Sequence, residues 1–318
     1  MDLLSVQLRA VRYEAPGVSA FEFAASDRSQ LPAFSAGAHI DLHLAPGLVR
    51  SYSLCNAQDE RHRYVIGVNR DRASRGGSVH VHERLRVGDH VQISPPRNNF
   101  PLHEAAPHSV LVAGGIGVTP LLAMARRLSA LGRSWDLYYC ARSAASAAFL
   151  EALQELAGSS PQSVLHLHFD DRAPGLLDLA QVVASAPTGS HFYCCGPAPM
   201  LSSFRAACAE LPPAQVHLEY FSAPEAPASE GGFEVELARS GRVLVVPKGK
   251  TILEVMLDAG VEAPYSCMQG ICGACETRVL AGIPEHHDLV LSPEEQAANA
   301  IMMVCCSGSR SPRLVLDR

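Results

Sequence analysis

The stretch "CMQGICGAC", residues 267–275, places three cysteines within nine positions. Four residues separate Cys267 from Cys272, two separate Cys272 from Cys275, and Cys305 follows after a gap of 29 residues. The residues between the first three cysteines include two glycines and an alanine, which let backbone amides approach a bound group closely. We therefore expect this loop to enclose a group that is bound through thiolates.

The cysteine spacing is that of plant-type ferredoxins, which bind a [2Fe-2S] cluster with two thiolates on each iron. Zinc sites usually contain two C-x2-C pairs, and only one is present here, while buried reduced thiols have no reason to cluster in this way. The pattern favours a cluster on Cys267, Cys272, Cys275 and Cys305. The adjacent Cys306 is an alternative fourth ligand; if Cys305 is the ligand, Cys306 is expected to point into the core.

Composition excludes several classes of protein. The chain has 318 residues, is 47% hydrophobic and carries a net charge of −6, which suits two or three domains and argues against nucleic-acid binding. The N-terminus lacks the pattern of a secretion signal, and the apolar stretches are too interrupted to span a membrane. The ten cysteines are therefore expected to be reduced thiols. We expect a cytoplasmic protein that binds neither nucleic acid nor a membrane.

Three patterns divide the chain into domains. Residues 1–104 contain short alternating runs such as "HIDLHL" and predict an antiparallel β-barrel. Residues 105–222 alternate buried strands with amphipathic helices and predict a parallel α/β sheet. A linker rich in Pro, Ala, Ser and Glu covers residues 223–231. In residues 232–318 a hairpin and a helix capped by Thr251 and Glu254 precede the cysteine loop, for which the ferredoxin pattern implies an α+β β-grasp domain.

Two glycine-containing loops favour dinucleotide binding. In "VLVAGGIGVTPLL", three glycines connect a strand to a helix for which Thr119 is the expected cap and Pro120 the expected first residue. Backbone amides at such a helix start suit a pyrophosphate. Because Pro120 replaces the third glycine of G-x-G-x-x-G, a simple tight turn is the alternative. A second loop, "YCCGPAPML", also ends a strand before a helix and strengthens the dinucleotide interpretation.

Two motifs of the first segment suit FMN. Arg50 and Tyr52 lie on one side of the strand "RSYSL", and Ser51 and Ser53 lie on the other. In "SRGGSVH" a glycine pair and a serine can form a backbone that binds an anion. Arg50 and this segment would hold a phosphate, and Tyr52 would lie against a planar ring. The alternative is that Arg50 and Tyr52 only pack against the sheet.

Taken together, these motifs resemble the family of phthalate dioxygenase reductase and vanillate demethylase reductase over nearly the whole chain. The matching stretches are "RSYSLCN", "RGGS", "LVAGGIGVTP", "YCCGP" and the four cysteines. The resemblance implies an NADH-dependent oxidoreductase that passes hydride from NADH to FMN. Single electrons would then pass through the [2Fe-2S] cluster to a Rieske-type oxygenase. It also implies a monomer, and FMN instead of FAD because no adenosine-holding segment follows "RGGS".

The resemblance assigns residues to each cofactor, with none acting as a classical acid or base. Ser53, Thr119 and Cys195 would lie nearest the reacting atoms, with Ser53 near flavin N5. The residues implied for FMN are Arg50, Ser51, Tyr52, Ser53, Gly76, Gly77, Ser78 and Phe221, which would cover the flavin. Those implied for NAD are Gly115, Gly117, Thr119, Arg142, Cys195, Gly196 and Pro197. The choice between NADH and NADPH is open because Ser143 stands where relatives carry an acid.

Two other functions fit parts of the pattern. The chain could serve a cytochrome P450 or a diiron monooxygenase, although many such reductases place the ferredoxin first. It could also be an electron carrier with a non-functional flavin site, which the intact motifs argue against. The adjacent His286 and His287 are expected to contribute only surface or loop packing. The oxygenase substrate is not encoded here, because it binds the partner protein.

Overall fold

The computed structural model describes residues 3–45, 48–71, 76–172, 175–221, 231–265 and 267–318. The chain forms two compact units, Met1–Phe221 and Ser222–Arg318. Within the described ranges, no helix has the length and apolar character needed to cross a membrane. The residues assigned to the linker lie outside these ranges, except for Gly231.

The N-terminal part of the first unit forms an antiparallel sheet of six strands. The strands are β1 (Leu4–Ala15), β2 (Val18–Ala25), β3 (His39–Ala45), β4 (Leu48–Ser53), β5 (Tyr64–Asn69) and β6 (His90–Ile93). Their order is β4-β3-β6-β1-β2-β5, and a further bridge joins Leu54, next to β4, to Ile66 of β5. Alternate residues such as Phe21 and Phe23 face one apolar core. The predicted antiparallel sheet is confirmed.

Helix α1 (Gly77–Arg84) connects β5 to β6, where the sequence predicts no helix. Gly76 precedes the helix with a φ of 88°, a left-handed conformation that glycine adopts readily. Only Gly77 and Val81 of this helix are buried. Two buried positions one turn apart are too few to give a recognisable apolar stripe, which is why the helix is not evident from the sequence.

The rest of the first unit is a parallel α/β sheet, as predicted. Its elements are β7 (His108–Gly114), α2 (Val118–Ala130), β8 (Ser134–Ala141), α3 (Leu150–Ser159), β9 (Ser163–Phe169), α4 (Leu179–Ser185), β10 (His191–Cys195), α5 (Ala198–Ala207) and β11 (Val216–Glu219). The strand order is β11-β10-β7-β8-β9. Strand β7 is buried at every residue because α2 packs beside Leu111 and Ala113, while α4 and α5 pack beside Val110 and Val112. Such two-sided burial explains its continuous apolar run.

The start of α2 differs from the prediction. A 3-10 turn over Gly115–Gly117 leads directly into the helix, which begins at Val118 and has no side-chain cap. Thr119 instead donates its hydroxyl to the carbonyl of Ile116 at 3.0 Å, and Pro120 is the third helical residue. The expected cap at Thr119 is therefore wrong. The tight turn already supplies helical geometry, so the α-helix starts before the residue that the capping rule selects.

The second unit contains a mixed sheet of five strands. Its elements are β12 (Phe233–Leu237), β13 (Arg242–Val246), α6 (Ile252–Asp258), β14 (Glu276–Ala281), β15 (Pro284–Glu285), α7 (Pro293–Ala298), β16 (Ile301–Met303), β17 (Gly308–Ser309) and β18 (Arg313–Leu316). The sheet order is β13-β12-β18-β14-β16, and β15 pairs separately with β17. The predicted hairpin is the antiparallel pair β12–β13. The predicted capping box is present, because Thr251 and Glu254 exchange side-chain to backbone hydrogen bonds at the start of α6.

Candidate functional site

A candidate anion site lies where β4 meets the start of α1. The Arg50 side chain crosses the first residue of the helix so closely that a Cβ on Gly77 would lie 2.4 Å from Arg50 Cγ and 2.7 Å from Nε. The helix begins without a side-chain cap at Gly76, so its first amides stay available to a ligand. A guanidinium beside uncapped helix amides is the donor set that a phosphate needs. Ser78 lies in the same turn and accepts a hydrogen bond from the Asp71 amide at 3.2 Å.

The remaining residues of "RSYSL" have different surroundings. Ser51 donates to Asp41 Oδ1 at 2.7 Å, and Arg97 pairs with the other oxygen of Asp41 at 2.6 Å. Tyr52 packs against the apolar core, and burial raises the pKa of its phenol to about 12. Tyr52 therefore stays neutral, as an aromatic wall for a ring would. Ser51 is engaged in holding strands β3 and β4 together.

The two strand-end loops of the parallel sheet touch each other. A Cβ on Gly117 would lie 2.2 Å from the carbonyl oxygen of Cys195, and a Cβ on Gly114 would lie 2.6 Å from Pro197 Cδ. A Cβ on Gly196 would lie 3.1 Å from the Cα of Gly114. Glycine is required because any side chain would separate the loops. The structure thus brings together two loops that the sequence places about 80 residues apart, at the carboxyl end of neighbouring strands.

Glu219 completes this edge, and the sequence reasoning did not select it. It ends β11 directly beside Cys195 of β10, and its carboxyl group accepts a hydrogen bond from Ser53 Oγ at 3.5 Å. Burial raises the pKa of Glu219 to about 8, and burial also raises the pKa of the Cys195 thiol well above its usual range. Its position in the sequence could have revealed Glu219, because an acidic residue at the carboxyl end of a parallel strand lies at the edge of the sheet where ligands bind. Phe221 follows two residues later, with 39% of its surface exposed.

A cavity of about 910 Å³ opens between the antiparallel sheet and the end of β8. It is lined by Pro16, Gly17, Asn69, Arg70, Asp71, Val79 and Arg142. Nearby, β5 packs tightly against the starts of α2 and α3, since a Cβ on Gly67 would lie 2.7 Å from both Phe149 and Thr119. The cavity has the size of a site for a cofactor-sized ligand. Arg142 lines it, whereas Thr119 is buried at the packing contact with β5.

In the second unit, the backbone of the cysteine loop points at the cysteine sulfurs. The amide of Cys267 donates to Cys272 Sγ at 3.5 Å, and the amide of Gln269 donates to Cys267 Sγ at 3.3 Å. The amide of Gly270 donates to Cys305 Sγ at 3.2 Å, across 35 positions of sequence. Amides directed at sulfur are the second shell of an iron–sulfur cluster. The predicted role of the small residues in this loop agrees with the geometry.

All four predicted ligands are buried and their sulfurs are in contact. Contact with the Cys272 and Cys305 thiols, and then hydrogen bonds from backbone amides, lowers the pKa of Cys267 well below its usual range. Contact with Cys305 also lowers the pKa of Cys275. Across the described part of the chain, no three His, Cys, Asp or Glu side chains are arranged to hold one metal ion. A [2Fe-2S] cluster requires no such arrangement, because each iron takes two thiolates.

Two expectations concern the neighbouring residues. Cys306 packs against the apolar core of this unit, as expected, although it is only partly buried, and its sulfur would lie 2.5 Å from a Cβ on Gly270. Gly270 has a φ of 70°, so glycine is needed there for both conformation and space. His286 packs within its loop, since only 8% of its side chain is exposed. His287 packs in the same loop, with its Nδ1 3.2 Å from the Cys306 carbonyl, as loop packing predicts.

Comparisons with known proteins agree with this arrangement. Residues 235–308 match the 2Fe-2S iron-sulfur cluster binding domain, and residues 111–206 match the oxidoreductase NAD-binding domain. Phenoxybenzoate dioxygenase subunit beta of Ectopseudomonas oleovorans is 54% identical over 100% of this chain and 98% of that protein. The solved structure of phthalate dioxygenase reductase is 38% identical, covers 99% of this chain and 98% of that one, and has a TM-score of 0.75. The chain belongs to the phthalate dioxygenase reductase family.

Family membership confirms the resemblance that the motifs carry. This member is an oxidoreductase with an NAD-binding domain and a [2Fe-2S] domain, and the anion site beside Tyr52 fits a flavin nucleotide. An intact type IV self-sufficient cytochrome P450 monooxygenase is also similar, with 35% identity and a TM-score of 0.89. That match covers 99% of this chain but 41% of the other, so the similarity concerns one part of a longer protein.

Proposed function

We propose that this chain is the reductase component of a Rieske-type oxygenase system, which uses NADH to supply single electrons to the oxygenase. One observation carries the proposal: a single chain contains a phosphate site, two touching dinucleotide loops and a cradle for a [2Fe-2S] cluster. A flavin, when bound, supplies the chemistry that links two-electron hydride transfer to one-electron transfer. Its relatives include a dioxygenase subunit and phthalate dioxygenase reductase.

The flavin is FMN in this proposal, held by residues of β4 and α1. Arg50 binds the phosphate together with the backbone of Gly76, Gly77 and the hydroxyl of Ser78, and Tyr52 forms a wall for the ring. Ser51 supports this strand through Asp41. Ser53 lies near flavin N5 because it lies at the site edge beside Glu219. Phe221, which follows Glu219, covers the flavin ring.

NADH lies across the carboxyl edge of the parallel sheet in this proposal. Gly115 and Gly117 allow close approach of the pyrophosphate, and Cys195, Gly196 and Pro197 line the nicotinamide pocket. Thr119 is buried beside β5 and holds the start of α2 in place. Arg142 contacts the adenosine end of NADH in the 910 Å³ cavity. Cys195 and Glu219 remain neutral below about pH 8, because burial raises the pKa of each group. A neutral edge suits the uncharged nicotinamide ring of NADH.

The finer architecture belongs to the same proposal. The bridge between Leu54 and Ile66 joins the two edge strands and supports a closed β-barrel for residues 1–104. The parallel pairing of β12 with β18 and the helix α6 support a β-grasp fold for residues 232–318. Residues 105–222 form the NAD domain and residues 223–231 the linker. Cys267, Cys272, Cys275 and Cys305 bind the cluster. We propose a cytoplasmic monomer that contacts its oxygenase transiently.

One observation favours a second acceptor. The self-sufficient cytochrome P450 monooxygenase has the highest TM-score of the structures described above, 0.89. A cytochrome P450 is therefore the alternative partner. The two acceptors are distinguished by mixing the reduced protein anaerobically with a purified Rieske oxygenase or a purified P450 haem domain. Rapid oxidation by the Rieske protein alone supports the first proposal, and rapid oxidation by the haem domain alone supports the second.

The decisive experiment is an anaerobic visible spectrum before and after NADH, with the released flavin identified. We expect flavin bands above a broad iron–sulfur absorbance, bleaching of both by NADH, and FMN on release. Arg50→Met should lose most of the flavin, whereas Arg84→Met, exposed at the other end of α1, should retain it. Cluster absorbance without flavin and without bleaching would contradict the proposal and indicate an electron carrier.

A further inference from the structure

A buried polar pair lies behind the cysteine loop and has no part in the proposed function. It belongs to the segment 286–291, where the side chains of His286 and Asp288 are 8% and 0% exposed. His286 Nδ1 lies 3.6 Å from Asp288 Oδ1, and within the described ranges neither atom has a hydrogen-bond partner. Burying a carboxyl group is costly, so its position is expected to serve a purpose.

Asp288 holds its own loop in shape. Its Oδ2 accepts hydrogen bonds from the amide of Val290 at 3.2 Å and from the amide of Leu291 at 2.8 Å. The side chain of Gln296 donates to the Asp288 carbonyl at 3.5 Å. The pairing of β15 with β17 fixes the start of the segment. A buried acceptor that binds two successive amides fixes the path of a short turn.

This loop contacts the peptide that faces the cluster. The amide of Leu289 donates to the Gly270 carbonyl at 2.9 Å, and a Cβ on Gly270 would lie 3.1 Å from the Cα of Asp288. The amide of Gly270 itself donates to Cys305 Sγ at 3.2 Å. The hydrogen bond from Leu289 to the Gly270 carbonyl therefore fixes the residue whose own amide faces a cysteine sulfur.

We propose that Asp288 is a positioning residue for the cluster: through the Leu289 amide it fixes Gly270, whose own amide faces Cys305, and so raises the reduction potential. Hydrogen bonds to sulfur stabilise the reduced cluster, which carries the additional negative charge. The inference rests on the proposed function only in that the chain binds a [2Fe-2S] cluster. It is separate from the flavin and NADH sites.

The test is an anaerobic redox titration of the holoprotein, with the reduced cluster followed by electron paramagnetic resonance. Leu289→Pro removes the amide donor, and Leu289→Ala keeps it. We expect the Pro variant to shift the ratio of oxidised to reduced cluster about tenfold toward the oxidised form, which is 59 mV for one electron. The Ala variant should match the wild type. Equal potentials in the Pro and Ala variants would overturn the inference.

A second pair separates positioning from charge. Asp288→Ala and Asp288→Asn both remove the acid, but Asn keeps an acceptor oxygen for the Val290 and Leu291 amides. We expect Asp288→Ala to shift the reduction potential as Leu289→Pro does, and Asp288→Asn to keep the wild-type potential. Loss of iron from Asp288→Ala and Leu289→Pro, with full iron content in Asp288→Asn and Leu289→Ala, would also support positioning. The same shift in both Asp288 variants would overturn it, whereas a wild-type chain without iron would contradict the proposed function itself.

Discussion

The carboxyl group of Glu219 should make the stability of the first unit fall as pH rises. Burial raises its pKa from 4.5 to about 8, and its hydrogen bond from Ser53 is long at 3.5 Å. At a pH between these two pKa values, Glu219 is protonated in the folded chain but has released its proton in the unfolded chain. Unfolding is therefore favoured as pH increases through this window, and the destabilisation is complete above about pH 8.

The magnitude follows from the pKa difference. Each pKa unit corresponds to about 1.4 kcal/mol, so the full difference corresponds to about 5 kcal/mol at most. Part of this window lies below pH 5.5 and part of the group's surface is solvated. We therefore compare the gain in unfolding free energy that Glu219→Gln gives over the wild type at two pH values. This gain should be about 2 kcal/mol larger at pH 8.5 than at pH 5.5.

Urea unfolding followed by tryptophan fluorescence measures this effect. The chain contains one tryptophan, and Trp135 is fully buried in β8 of the same unit, so its emission reports the unfolding of that unit. Glu155→Gln, on the exposed face of α3, is the matched control and should follow the wild type. If the free energies of unfolding of Glu219→Gln and the wild type differ equally at both pH values, the carboxyl group does not titrate in this window and the reasoning is refuted.

Three further predictions concern the other sites. Cys305→Ser should lower the iron content from about two per chain to near zero, while Cys306→Ser should keep it; the reverse result in iron assays would make Cys306 the ligand. Gly117→Ala should weaken NADH binding about tenfold, because its Cβ would overlap the Cys195 carbonyl at 2.2 Å and cost about 1–3 kcal/mol. Gly158→Ala, where no atom lies within 4 Å of the added Cβ, is the control, and equal NADH titrations would contradict the overlap. Burial, then the charges of nearby histidines, lowers the pKa of His217 to about 4, so stability present above pH 6.5 should be lost as pH falls toward 4. Because solvent screens the partly exposed imidazole, the loss should be about 1–2 kcal/mol, and it should disappear in His217→Phe; a wild-type unfolding free energy that stays constant over this range would contradict it.

Much of the site was predictable because its signals are local. The cysteine spacing selected four cysteines whose sulfurs the structure brings into contact, and glycines at strand ends selected two loops that touch. The capping box of α6 needed only Thr251 and Glu254, three positions apart. The cap expected at Thr119 failed because the preceding 3-10 turn, itself a consequence of packing against Cys195, moved the helix start.

The sequence by itself determined most of the segments that form strands and helices, although not α1, since apolar periodicity reflects burial along one element. It also determined the chemistry of the ligands. Only the tertiary structure decided which distant residues meet. Glu219 acquires its raised pKa from burial and faces Ser53 across 166 positions, and Asp288 reaches the cluster loop through Leu289 and Gly270. Such contacts depend on how sheets and loops pack against each other. No periodicity or spacing within one segment records them.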